Sequence, residues 1–177
     1  AAIGQGATTV NVLQLALGYG AIANGGTLYR PQVVRSIETS DGTVVQDFPP
    51  RVRRVVDLDA ERLNLLRRGL KGVVTEREGT AYGARIEGVD MAGKTGTAQV
   101  TQVTPRGVDP DRVWYFNRDH AWFAGYAPAE SPEIAVVVLV EHGGGGGKNA
   151  VPVAMQVVRD WQRMKAERLS ARLEERD

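Results

Sequence analysis

Apolar positions near the start of the chain recur at helical spacing: Val12, Leu13, Leu15, Ala16, Leu17, Tyr19, Ile22 and Ala23 form a broad apolar face. Asn11, followed three residues later by Gln14, has the pattern of a capping box, and Asn24-Gly25-Gly26 supplies residues that accept positive φ at the other end. A buried helix is expected. Leu28 to Ile37 then reads as a strand, Ser40-Asp41-Gly42 before Thr43-Val44-Val45 as the turn of a hairpin, and Pro49-Pro50 as the close of that unit. Leu58, Leu65, Leu66, Leu70, Val73 and Val74 give the stripe of a second helix, capped by Asp57, with arginines on the opposite side.

Further on the period changes. Met91 to Val100 reads as a strand because its glycines would be unwelcome inside a helix. Thr101 to Arg118 is a polar loop. Ala121 to Tyr126 is a strand, and Ile134 to Val140 is a run of seven apolar residues, mostly β-branched, as expected of a central strand covered on both faces. The short connection between these two predicts antiparallel neighbours. Asn149 is the expected cap of a last helix, with Pro152 in its first turn and Val151, Ala154, Val157, Val158 and Trp161 packing back on the sheet. Past Met164 the chain is mostly charged, so 1–164 is expected to form the folded unit and 165–177 a solvated helix end or tail. The fold class predicted is α+β, an antiparallel sheet flanked by helices.

Composition narrows the chemistry. The chain has 177 residues, 42% hydrophobic and 24% charged, the range of one globular domain. It has no Cys, which removes disulfides, cysteine zinc sites and thiol catalysis together. Lys and Arg number 22 against 21 Asp and Glu, so no global field draws the protein to nucleic acid. The eight basic side chains between Arg51 and Glu78 face five acids without interleaved aromatics, the pattern of a solvated helix face. No apolar run approaches the ~20 residues of a spanning helix. The start at Ala1-Ala2-Ile3, without Met, leads to the expectation of a piece of a longer protein.

Two motifs share Lys94. Gly88 to Thr95 fits the phosphate-loop expression G-x-x-x-x-G-K-T. That loop needs a buried strand before its first glycine and a helix starting at its lysine, and neither is predicted here. The second reading places Lys94-Thr95-Gly96-Thr97 on a strand. An ammonium, two hydroxyls and a residue without a side chain suit an extended peptide ending in a carboxylate, which could add to the strand's edge. A backbone amide at the strand end could face a developing oxyanion. Strict alternation sets Lys94 and Gly96 on one face and Thr95 and Thr97 on the other, so convergence calls for twist at Gly96 or use of the strand edge.

Lys94-Thr95-Gly96-Thr97-Ala98-Gln99 resembles the third signature of the penicillin-binding transpeptidases and serine β-lactamases. Ile3-Gly4-Gln5-Gly6, Leu13-Gln14-Leu15-Ala16, Ala23 to Pro31, Asp119-His120-Ala121-Trp122-Phe123, Gly125-Tyr126-Ala127-Pro128 and Glu141-His142-Gly143-Gly144 resemble, in order and spacing, the elongation-type class B penicillin-binding proteins of the penicillin-binding protein 2 group. The resemblance runs to about Trp161. It implies a partial penicillin-recognition fold and peptidoglycan D,D-transpeptidation through an acyl-enzyme on serine, with no cofactor and no metal. The partners it implies are the D-Ala-D-Ala end of a stem peptide, β-lactams and the cell-wall elongation machinery. It further implies a working place at the periplasmic face of the inner membrane, through an N-terminal anchor outside this sequence.

The family's other signatures are S-x-x-K, holding the nucleophile, and S-x-N. The serines here are Ser36, Ser40, Ser131 and Ser170, and none is followed by Lys at the third position or Asn at the second. The chain therefore resembles the part of the transpeptidase domain after the second signature, and is expected to be inactive alone. By the resemblance, Lys94 bonds the S-x-N serine and keeps the cleft positive, Thr95 and Thr97 bind the carboxylate, the Thr97 amide is one oxyanion donor, and Gly96 keeps the strand open. A non-catalytic folding or interaction module is the alternative. His120 and His142 read as packing or surface histidines, Trp114-Tyr115-Phe116 as a hydrophobic clasp over the 101–118 loop or a substrate contact, and Gly143 to Gly147 as a flexible turn.

Overall fold

The computed structural model describes residues 8–100 and 112–174. The motif Ile3-Gly4-Gln5-Gly6, residues 101–111 of the polar loop and the last three residues lie outside them. Helix α1 spans Val12–Asn24 and is closed by the expected capping box: the Asn11 side chain accepts from the Gln14 amide at 2.8 Å, and the Gln14 side chain accepts from the Asn11 amide at 3.0 Å. Gly25, with φ of 89°, ends it. The helix is less buried than expected. Only Ala21 is buried, Leu13 is 55% exposed, and one face, Tyr19, Ile22 and Ala23, packs on Leu70, Ala92, Tyr126 and Ala129.

Residues 28–37 do not form one strand. Pro31 has no amide to donate, and the chain splits around it into β1, Thr27–Tyr29, and β2, Ser36–Glu38. The expected hairpin is present as β2 with β3, Val44–Asp47, turned at Gly42 with φ of 85°. Strand β4, Val52–Val55, was not foreseen; it returns after Pro49-Pro50 to pair antiparallel with β1. It also moves the next helix cap. With β4 paired and the Val56 amide bonded to the Gly26 carbonyl at 2.9 Å, the chain has not entered a helix at Asp57. Asp59, not Asp57, accepts from the Arg62 amide at 2.8 Å and starts α2, Ala60–Thr75. Leu70 and Val74 are buried in the stripe, whereas Leu65 and Leu66 face out. One arginine departs from the expected solvent side: Arg67 turns inward onto the carbonyls of Ile22 and Ala23.

The principal sheet holds β5, Ala92–Ala98, β6, His120–Ala127, and β7, Ile134–Val140, in the order β5-β6-β7, antiparallel throughout. Among the described residues β6, not β7, is the central strand; it is flanked on both sides and buried nearly end to end, while β7 has one partner and is mostly half-buried. A short helix α3, Gly146–Asn149, leads into α4, Val151–Glu174. Asn149 does not cap α4. It ends α3, and its side chain bonds back to the Gly143 carbonyl.

Helix α4 lays Val151, Ala154, Met155 and Val158 against Phe123, Ala121, Met91 and Val136, and this is the main core. The spacing 151, 154, 155, 158 keeps one stripe on the sheet, so Val157 is left exposed and Trp161 half-buried. The helix runs on past Met164 to Glu174. Lys165 anchors this stretch by donating to both carboxylate oxygens of Glu133 at 2.5 Å. Among the described residues no helix is long and apolar enough to cross a membrane.

Candidate functional site

Strand β5 carries Lys94, Thr95, Gly96 and Thr97, and its pairing with β6 leaves its other edge open among the described residues. The helix that a phosphate loop would need at Lys94 is therefore absent, and the segment before Gly88 holds only the short 3-10 turn Tyr82–Ala84. A cleft of about 790 Å³ lies along β5, between it and α1, with Thr8, Val10, Leu15 and Tyr19 on the helix side and Lys94 to Ala98, Trp122 and Ala124 on the sheet side.

The register runs without a bulge from Ala92 opposite Tyr126 to Ala98 opposite His120. Alternation is therefore strict. Lys94 and Gly96 stand beside Ala124 and Trp122, while Thr95 and Thr97 stand with Phe123 and Ala121 on the face turned to α3 and α4. With no bulge to reorder them, the two sets meet along the strand's open edge, where all four residues line the cleft. The Lys94 ammonium donates to the Thr95 carbonyl at 3.0 Å. A Cβ at Gly96 would lie 3.2 Å from the Trp122 Cβ, so a side chain there would press on the tryptophan flooring the cleft.

Two groups behind the strand went unforeseen. Thr80 places its hydroxyl oxygen 2.6 Å from that of Thr95. The Gly146 amide donates to the Thr97 hydroxyl at 3.5 Å, the long limit for such a bond. The glycine run is no flexible turn at this point. A Cβ at Gly146 would fall 2.4 Å from the carbonyl oxygens of Gly96 and Trp122, and one at Gly147 would fall 2.4 Å from the Thr80 carbonyl. These glycines let α3 sit directly on the back of β5, a role that composition alone does not separate from flexibility.

His120 and His142 pack on each other, with ring centroids 4.7 Å apart and the His142 amide donating to His120 Nδ1 at 2.9 Å. The Nδ1 of His142 lies 3.2 Å from the Arg118 carbonyl. Trp114, Tyr115 and Phe116 remain more than half exposed and cluster about the His142 ring. No group of three His, Cys, Asp or Glu among the described residues could hold a metal ion.

Residues 1–159 match the family model described as penicillin binding protein transpeptidase domain. The chain is 31% identical over 166 residues to the peptidoglycan D,D-transpeptidase MrdA of Haemophilus influenzae, covering 88% of this chain and 24% of that protein. It superposes on penicillin-binding protein 2 of Helicobacter pylori, solved in complex with MreC, with a TM-score of 0.66 at 30% identity, over 93% of this chain and 26% of that one. The imipenem acyl-enzyme of penicillin-binding protein A from Mycobacterium tuberculosis matches with a TM-score of 0.68 at 28% identity, over 89% of this chain and 32% of that one. The chain thus spans about a quarter to a third of these relatives. With most of its length matched, and with its KTG strand lying at an open sheet edge as read from the sequence, the chain belongs to the penicillin-binding protein transpeptidase domain family, among relatives of the PBP2/MrdA type.

Proposed function

We propose that this chain supplies the KTG half of a peptidoglycan D,D-transpeptidase active site. The observation that supports it is the open edge of β5, where Lys94, Thr95, Gly96 and Thr97 border a cleft of about 790 Å³. A stem peptide ending in D-Ala-D-Ala lies along that edge as an added strand. Its terminal carboxylate accepts from Thr95 and Thr97, and Lys94 keeps the cleft positive and bonds the serine of S-x-N. When a serine oxygen attacks the penultimate carbonyl, the Thr97 amide donates to the oxyanion. The terminal D-Ala then leaves, and the amine of a second stem peptide takes the acyl group. A β-lactam enters by the same route, in keeping with the imipenem acyl-enzyme of the Mycobacterium tuberculosis relative. The likeness to a protein solved with MreC supports elongation-machinery partners, and the likeness to peptidoglycan D,D-transpeptidases supports work at the periplasmic face of the membrane.

This sequence holds no S-x-x-K, and a site without its nucleophile does not acylate. Intact-mass spectrometry after incubation with benzylpenicillin is expected to show no adduct on this chain and one adduct on a complete transpeptidase bearing it. A stable adduct on the chain alone would overturn the division of roles proposed here.

A further inference from the structure

Thr80 lies in the turn between α2 and the 3-10 turn at Tyr82, fifteen positions before Thr95, yet the two hydroxyl oxygens are 2.6 Å apart. The turn is fixed by its backbone. The Ala81 amide donates to the Val73 carbonyl at 3.1 Å and Ala81 is fully buried. A Cβ on Gly79 would fall 2.3 Å from that same carbonyl. The Thr80 side chain itself is exposed, so the core does not require its hydroxyl; what the hydroxyl meets is Thr95.

A pair of hydroxyls can be wired in either direction, since each donates one hydrogen and accepts at two lone pairs. A carboxylate removes that freedom because it only accepts. Once Thr95 gives its hydrogen to a carboxylate, its oxygen is left to accept, and the hydrogen it accepts comes from Thr80. The same polarity recurs at Thr97, whose oxygen receives the Gly146 amide from behind the strand. We infer that Thr80 is a positioning residue, whose hydroxyl donates to Thr95 and holds the Thr95 hydroxyl turned as a donor toward the ligand carboxylate. It thereby strengthens the contact to a charged carboxylate more than the contact to a neutral chain end, whose carbonyl accepts a weaker bond. The inference rests on the reading of β5 as the carboxylate-binding strand.

The test compares benzylpenicillin with its methyl ester in a complete transpeptidase bearing this sequence, and reads the ratio of their second-order acylation rates. Because both rates come from one preparation, any loss of folded enzyme cancels. Thr80→Val is expected to lower the acid's rate about five- to tenfold, through half-saturation more than the limiting rate, and the ester's rate by less, since an ester carbonyl also accepts from Thr95 but without the charge that strengthens the bond. Thr80→Ser is expected to restore the ratio. If the valine variant is too unstable to assay, Thr80→Ala reads the same ratio. An unchanged ratio in Thr80→Val and Thr80→Ala, alongside a collapsed ratio in Thr95→Val, overturns the role of Thr80 and leaves the proposed function standing. An unchanged ratio in Thr95→Val as well overturns both.

Discussion

Gly146 rests on Gly96 with no room for a side chain: a Cβ at Gly146 would lie 2.4 Å from the Gly96 carbonyl oxygen and 3.1 Å from its amide nitrogen. The short helix α3 is thereby seated on the back of the KTG strand, and the last glycines before α4 serve the site as much as the turn. Gly146→Ala must push α3 or β5 away. Overpacking of this kind costs about 1–3 kcal/mol, and the expected outcome is a lower melting temperature. In a complete enzyme slower acylation should accompany it, since the Thr97 hydroxyl loses the Gly146 amide. A melting temperature equal to that of the parent would show that the contact yields freely.

Arg67 ties α2 to the end of α1. Its guanidinium donates to the Ile22 carbonyl at 2.7 and 3.1 Å and to the Ala23 carbonyl at 2.7 Å, satisfying carbonyls that the last turn of α1 cannot pair internally. A positive charge there also faces the negative end of the helix. Arg67→Met keeps much of the side-chain bulk and removes the donors. It is expected to cost about 1–3 kcal/mol in urea unfolding, and Arg67→Lys should recover only part, since an ammonium lacks the planar fork.

Tyr126 is fully buried with a hydroxyl that finds no partner among the described residues. Burial pushes its phenol above the ordinary value of 10.0, with Arg67 working in the opposite direction. Tyr19 is shifted up likewise, by burial and then by Tyr126. In each case the folded state holds its proton longer than the unfolded chain does. The stability from this difference is fully present below pH 10 or so, and is lost as pH rises from there through the folded-state values. Tyr126→Phe is expected to flatten that alkaline loss and, at neutral pH, to leave stability unchanged or raise it by up to about 1 kcal/mol. Urea unfolding at neutral pH and at about pH 11 checks both. An undiminished alkaline loss in Tyr126→Phe would assign the effect to other groups.

Thr97 is proposed to bring both an amide and a hydroxyl to the site. In a complete transpeptidase, Thr97→Val keeps the amide and removes the hydroxyl. Acylation by benzylpenicillin is expected to slow about tenfold, the scale of one hydrogen bond to a charged group. Lys94→Met removes the positive charge and should cost more, about a hundredfold, on the scale of a lost charge-assisted contact. Stopped-flow acylation kinetics measure both, and equal rates in parent and Thr97→Val would count against the hydroxyl's part.

The sequence by itself determined what depends on neighbours along the chain. The Asn11 and Gln14 capping box, the Gly25 stop, the turn at Gly42, the strand at Lys94 to Thr97 and the unsuitability of Lys94 for a phosphate loop are all local, governed by φ, by capping hydrogen bonds and by period. Only the tertiary structure decided matters set by distant partners. The apolar run at Ile134–Val140 reads as a central strand, but strand order is a property of pairing, and among the described residues β6 holds the middle. Asp57 and Asp59 are equally good caps in sequence, and the pairing of β4 with β1 chose between them. The inward turn of Arg67 depended on α1 ending beside α2, and the two hydroxyls of Thr80 and Thr95 met only because Ala81 is drawn into the core. Close approach explains the glycines for the same reason: a missing Cβ means freedom in a sequence, and becomes a packing surface once another strand lies against it.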